Sequence, residues 1–348
     1  MNRSTFLRSS HIWKVLSIVL LAGLAASIVV AVTFGTMPLP VSEVYQTIMA
    51  GPFADESATR SVVWFIRLPR LILASAVGMG LSVSGVVMQA IVRNPLADPY
   101  VLGISSGASL GATMAILLGV GLVLGGSAVG IMGFAGAFIA SIVVIVLSNI
   151  GGRANSIKLL LAGTAISALC GAFSNFIVYM SDKDDALRAV VNWTMGSLAA
   201  AEWRSNAIIW CIILLGTLLF WTQYRMLNLM LLGDEAAITL GADLHKYRLL
   251  YIVISALMIG FSVYKAGMIG FVGLVVPHIV RMILGTDHKK LIPVAALSGA
   301  IFLIWADVLC RSVIPGVEIP IGILTSLVGA PMFIYLMVRK KYGFGGRD

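Results

Sequence analysis

Long apolar runs broken by short polar stretches organise this chain. A helix needs about 20 mostly apolar residues to cross the hydrocarbon core of a bilayer. Ten segments meet that need: residues 13–34, 69–92, 100–120, 126–149, 158–180, 206–223, 247–263, 266–284, 291–310 and 319–338. The pattern predicts an all-α integral membrane protein with ten transmembrane helices, filling residues 1–348 as one domain. The seventh and eighth segments are the ambiguous pair, because from Leu249 to Leu284 the only charges are Lys265 and Arg281. As a single helix this stretch would be about 54 Å long, nearly twice the core thickness. Lys265-Ala266-Gly267 supplies a charge and a helix breaker mid-run, so the division falls there.

Composition agrees with this pattern. The chain is 59% hydrophobic and 11% charged, against about 45–50% and about 25% for ordinary soluble domains. Its formal charge of +9 would suit nucleic acid, but basic residues this sparse form no continuous phosphate-binding face. Their placement reads instead as topology. With the N-terminus inside, the inner segments hold 16 of the 24 basic residues and 6 of the 15 acidic ones. Joining segments seven and eight would send the basic 285–290 loop and the Arg339-Lys340-Lys341 tail outside, so ten spans with both termini cytoplasmic is the better arrangement. The start of the chain (Arg3, Arg8, Lys14, then apolar residues) has the charge layout of a signal peptide. Its apolar stretch is too long for the usual h-region, and a retained first helix is expected. Cys170, Cys211 and Cys310 lie inside apolar runs, with neither disulfide nor metal spacing.

Intramembrane catalysis lacks a constellation. HExxH is absent, His11, His245, His278 and His288 are scattered, and Gly103-Ile104-Ser105-Ser106-Gly107 is only loosely like a serine-nucleophile turn. His278, after Pro277, reads as a hydrogen-bonded packing residue. GxxxxGK[ST] is absent, so any ATP that drives transport binds another chain. An ion-coupled secondary transporter is the better rival, but such carriers bury charge near the midplane. Here every acidic residue falls in a loop or near a helix end. Asp307 is the deepest, within helical reach of Arg311. Gly103, Gly107 and Gly111, and Gly267, Gly270 and Gly273, recur at spacings that suit close helix packing.

Two polar surfaces remain. Arg67-Leu68-Pro69-Arg70 begins the second span and Arg311 ends the ninth, both on the outer side, against the positive-inside trend. Guanidinium groups there suit pairing with carboxylates of an external partner; interfacial snorkelling accounts for them as well. On the inner side, the loop 224–246 contains Gly233, Asp234, Glu235, Ala236, Ala237, Ile238, Thr239, Leu240 and Gly241. Acidic residues suit the first turn of a short helix, and Gly241 suits its end. Such a helix serves either as a docking knob for a cytosolic protein or as a plain connector.

Several of these motifs resemble the FecCD-type permeases, the membrane subunits of bacterial ABC importers for iron–siderophore complexes, haem and vitamin B12. The resemblance runs through Ile66-Arg67-Leu68-Pro69-Arg70, Ser84-Gly85-Val86-Val87-Met88-Gln89-Ala90, Asn94-Pro95-Leu96-Ala97-Asp98-Pro99 and Leu102-Gly103-Ile104-Ser105-Ser106-Gly107-Ala108. It continues through Leu159-Leu160-Leu161-Ala162-Gly163, Gly233-Asp234-Glu235-Ala236-Ala237, residues 270–281, Ala306-Asp307 and Glu318-Ile319-Pro320-Ile321-Gly322, in order over about residues 60–338.

The resemblance implies a type II ABC importer permease fold and a multi-pass subunit of the bacterial cytoplasmic membrane. It implies pairing with a second permease subunit, a homodimer being expected, above a cytosolic ABC ATPase dimer and below a periplasmic or lipid-anchored substrate-binding protein. ATP and Mg would be bound by the ATPase, and this chain would hold no cofactor and catalyse nothing. By the same resemblance Arg67, Arg70 and Arg311 match positions that pair with glutamates of the binding protein. Residues 233–243 match the helices that seat in the ATPase, and Asn155 and Ser156 match the cytoplasmic gate, although capping of the fifth span explains Asn155 equally. Charge reversal at Arg67 or Arg311 is then expected to lower transport while leaving expression intact. Phe176, Met180, Trp193 and Met195 are candidates for the pathway wall, or packing residues. An iron chelate, ferric siderophore or haem, is the expected substrate, with cobalamin the alternative.

Overall fold

The computed structural model describes residues 12–53, 57–182, 184–314 and 316–339. The basic ends at Arg3, Arg8, Lys340, Lys341 and Arg347 lie outside the described residues. Those residues form helices and connections, with no strand among them. In chain order the helices are α1 (Ile12–Ala31), α2 (Val41–Ala50), α3 (Ala58–Val92, with a π-turn at Val63–Arg67), α4 (Ile104–Leu118), α5 (Ala128–Asn149), α6 (Ser156–Tyr179) and α7 (Asp184–Met195). Then follow α8 (Trp203–Thr222), α9 (Tyr224–Leu232), α10 (Asp234–Thr239), α11 (Leu244–Ala266), α12 (Val272–Leu284), α13 (His288–Ser312) and α14 (Ile321–Arg339).

Each of the ten apolar segments is matched by a helix. Seven are long and apolar enough to cross a membrane, and α4, α12 and α14 are shorter apolar helices. The break between α11 and α12 falls where Lys265-Ala266-Gly267 places it. Gly267 takes φ 62°, a left-handed conformation open to glycine at little cost. Three helices, α2, α7 and α9, were not legible among the spans, because they are amphipathic pieces between the long runs.

α3 is the axis of the bundle. It is apolar all round and almost wholly buried, as such a helix should be. Its glycines admit neighbouring backbones. A Cβ at Gly78 would overlap the Gly299 carbonyl of α13, and one at Gly85 would overlap the Gly273 carbonyl of α12. Gly107 and Gly111 of α4 meet the carbonyls of Gly136 and Met132 on α5 in the same way. Gly270, by contrast, faces open space, so that member of the repeat packs nothing.

The third and eighth segments start later than the hydropathy suggests. α4 begins at Ile104, after a single 3-10 turn at Pro99–Leu102, and α12 at Val272, after irregular residues 267–271. Gly273 is wedged between the Leu81 carbonyl of α3 and the Pro99 ring. Leu81 lies eleven residues, hence about 16 Å, before the end of α3, so the 93–103 connection turns back into the bundle. Proline explains the irregularity, since residues before Pro95 and Pro99 are steered away from helix. Irregular backbone at such depth must be satisfied within the protein. Here Asp98 Oδ1 accepts from Tyr100 N at 2.8 Å, Ile269 N donates to Tyr100 Oη at 3.4 Å, and Ser197 N donates to Ala266 O at 2.9 Å.

Candidate functional site

The ends of the bundle are called outer and inner here by the charge distribution. At the outer end the structure brings Arg67, Arg70 and Arg311 together but leaves none of them free at the surface. They are 2%, 6% and 5% exposed. Arg67 donates from Nη1 to Val32 O and Thr33 O, both at 3.0 Å, and from Nη2 to Met37 O at 2.5 Å. Arg311 donates from Nη1 to Phe34 O at 2.8 Å. The two guanidinium groups therefore satisfy the carbonyls at and beyond the end of α1, where a helix leaves acceptors unpaired and favours cations. Arg70 donates from Nε to Asp307 Oδ1 at 2.7 Å and grips Glu318 with both terminal nitrogens, at 3.0 and 2.6 Å. Asp307 also meets Arg311 Nε at 3.1 Å, four residues along α13, as helical spacing foretold. All three guanidinium groups are thus engaged by carbonyls and carboxylates of this same chain. The carbonyls and carboxylates that these long side chains satisfy are brought near by packing, and sequence position alone does not reveal them. Glu318, partly exposed, is the residue of this cluster that sequence reasoning quoted but gave no role.

Between the ends, a cavity of about 450 Å³ is lined by Tyr100, Ser105, Met195, Met268, Ile323 and Ser326, among others. It sits where the irregular segments before α4 and α12 meet the end of α7 and the start of α14. Ile321 N donates to Gly196 O at 3.2 Å and Ser105 Oγ to Met268 Sδ at 2.9 Å, tying these pieces together. Of the four suggested wall residues, Met195 lines this cavity and Trp193 lines a separate one near α5. Phe176 and Met180 are exposed at the end of α6. Asp98, expected in an inner loop, lies instead beside this junction. Its carboxylate is held by the amides of Tyr100 and Phe271, a use that stabilises the turned-back connection.

At the inner end α10 forms as the sequence suggests. Asp234 and Glu235 occupy its first turn, and Gly233 and Gly241 flank it. Ala237 is buried against the bundle, whereas Leu232, Ile238 and Leu240 are exposed. The helix is fastened to α11 through Asp234, whose Oδ1 accepts from Arg248 Nη2 at 2.5 Å. Asn155 caps α6, its Oδ1 accepting from Lys158 N at 2.9 Å, and Ser156 Oγ donates to Ile91 O at 3.0 Å, fastening α6 to the end of α3. The capping account of Asn155 is therefore what the geometry displays.

Comparison with known proteins agrees with this architecture. The chain matches the FecCD transport family over residues 23–339. It is 44% identical over 293 residues to the hemin transport system permease protein HmuU of Yersinia pestis, covering 82% of this chain and 86% of that one. It is 38% identical over 314 residues to the cobalamin import system permease protein BtuC of Halobacterium salinarum, covering 90% and 82%. Among solved structures, one described as an inward-facing conformation of a metal-chelate type ABC transporter superposes with a TM-score of 0.81 at 32% identity, covering 94% of this chain and 99% of that one. The buried axis α3, the apolar helices around it and these matches together make the chain a multi-pass membrane permease that belongs to the FecCD transport family.

Proposed function

We propose that this chain is the membrane-spanning subunit of an ATP-driven importer in the cytoplasmic membrane, passing an iron chelate or cobalamin inward from a substrate-binding protein. The observation that carries this reading is the family match over residues 23–339, with relatives named for hemin and for vitamin B12 at 44% and 43% identity. These near-equal identities support haem and cobalamin alike. In this reading the chain spans the bilayer ten times with both ends inside and pairs with a second permease subunit. The exposed apolar residues of α6, Leu161, Leu169 and Phe173, are available to that subunit or to lipid.

The parts then have distinct work. The exposed Leu232, Ile238 and Leu240 around α10 offer an apolar knob to a cytosolic ATPase, which binds ATP and Mg. This chain itself catalyses nothing. The outer cluster serves docking indirectly: Arg67, Arg70 and Arg311 hold the loops that form the outer face, and Glu318 is the charge they present there. The cavity beside Met195 and Met268 is a station on the pathway, and its size falls within the range of small-ligand sites, about 300–1,000 Å³. Nucleotide turnover moves such a device only through contacts that differ between its states.

Reconstitution of the chain with its ATPase and cognate binding protein in liposomes tests the reading. Uptake of haem, a ferric siderophore or cobalamin, dependent on both ATP and the binding protein, is the expected result. Uptake driven by an ion gradient without ATP would overturn it in favour of a secondary transporter.

A further inference from the structure

Arg248 stands in the second turn of α11, only 3% exposed, and its guanidinium reaches in two directions. Nη2 donates to Asp234 Oδ1 at 2.5 Å, the first residue of α10. Nη1 donates to Ala154 O at 2.7 Å, in the turn between α5 and α6. Ala154 directly precedes Asn155, the cap of α6, and Ser156, which is tied to the end of α3. One buried side chain therefore connects the short inner helix to the start of α6. The parallel contact between Arg153 and Asp243 is 3.5 Å long and exposed on both sides, the kind of pair that contributes little. A cavity of about 60 Å³ lies among Ala154, Asp234, Ile238, Asp243 and Arg248, so apolar packing does not fill the space between α10 and the turn.

We infer that Arg248 is a positioning residue that passes displacement of α10 to the α5–α6 turn, and so to the cytoplasmic start of α6. The inference rests on the reading of α10 as the element that meets the ATPase. Its physical basis is the planar, permanently charged fork of arginine, which fixes two acceptors relative to each other in a way a flexible ammonium does not. A guanidinium this buried is costly to strand without its acceptors. When α10 shifts, Arg248 and Ala154 follow it. Coupling between distant sites requires such a contiguous element, and this one spans the gap with a single residue.

The test uses the full complex of permease, ATPase and binding protein in liposomes, comparing Arg248→Gln and Arg248→Lys with the unaltered chain. The readout is substrate imported per ATP hydrolysed. Both variants are expected to bind the ATPase and hydrolyse ATP, while import per ATP falls roughly 2- to 30-fold, the range for side chains that carry coupling between sites. Should the glutamine variant fail to assemble, the lysine variant, which keeps the charge beside Asp234, carries the same measurement. A second readout is the distance between spin labels at the exposed positions Ile157 and Ile238, in a background lacking the three cysteines. In the unaltered chain that distance holds steady through the nucleotide cycle, and in Arg248→Gln it changes or broadens. An assembled variant with unchanged import per ATP and an unchanged label distance overturns the role of Arg248. An unaltered chain that binds no ATPase overturns the reading of α10 beneath it, which is a different result.

Discussion

Arg70 Nε donates to Asp307 Oδ1 at 2.7 Å, joining α3 just past its π-turn to the outer end of α13 across 237 residues of sequence. Asp307 has no exposure at all and holds Arg311 as well. Two cations and one shared carboxylate thus sit inside the outer end of the bundle, with Glu318 completing Arg70 from the solvent side.

Asp307→Asn removes the one charge that Arg70 and Arg311 share. Breaking a buried pair by deleting one partner costs about 3–5 kcal/mol. The expected outcome is a clearly lowered melting temperature in detergent, followed by labelling of the buried thiol of Cys310, which is 1% exposed and lies on the same helix. A melting curve that matches the unaltered chain would show that the pair holds nothing together.

Arg67→Glu is expected to lower the yield of folded chain, contrary to what free surface arginines would give. Its guanidinium satisfies the carbonyls of Val32, Thr33 and Met37, and a carboxylate there repels all three. Size-exclusion chromatography of the purified chain reads this directly. Normal yield with impaired docking of the binding protein would restore a surface role to Arg67.

Gly78→Ala places a methyl group against the Gly299 carbonyl, backbone against backbone, where no flexible side chain can give way. Overpacking of this kind costs about 1–3 kcal/mol. Gly171→Ala on α6 meets nothing within 4 Å and is expected to stay within about 0.5 kcal/mol, as surface substitutions do. Thermal unfolding of the two variants side by side separates close helix contact from a general intolerance of change.

Met195→Trp fills the cavity beside Met268. If that cavity is a station on the pathway, uptake in the reconstituted complex falls while ATPase binding is retained. Uptake at the level of the unaltered chain would remove the cavity from the route.

How much of this was legible beforehand follows from which properties are local. Hydropathy placed the ten apolar helices, because partition between lipid and water acts on each segment separately. Gly267 divided α11 from α12, and Asp234 with Gly241 bounded α10, because turn conformations and first-turn charges are decided by a few neighbouring residues. Asp307 and Arg311 could be paired in advance because four residues on a helix is one face.

The amino-acid sequence by itself therefore determined the class of protein, the run of its apolar helices and the position of its short inner helix. Only the tertiary structure decided that Arg67, Arg70 and Arg311 are buried, that residues 93–103 turn back into the bundle, and that Arg248 bridges Asp234 and Ala154. The acceptors of these guanidinium groups are mostly backbone carbonyls or carboxylates far along the chain. Every residue carries such a carbonyl, so no local pattern marks which ones a buried charge will find. Folding decides it, because a charge removed from water must take whichever acceptors the packed helices bring within reach.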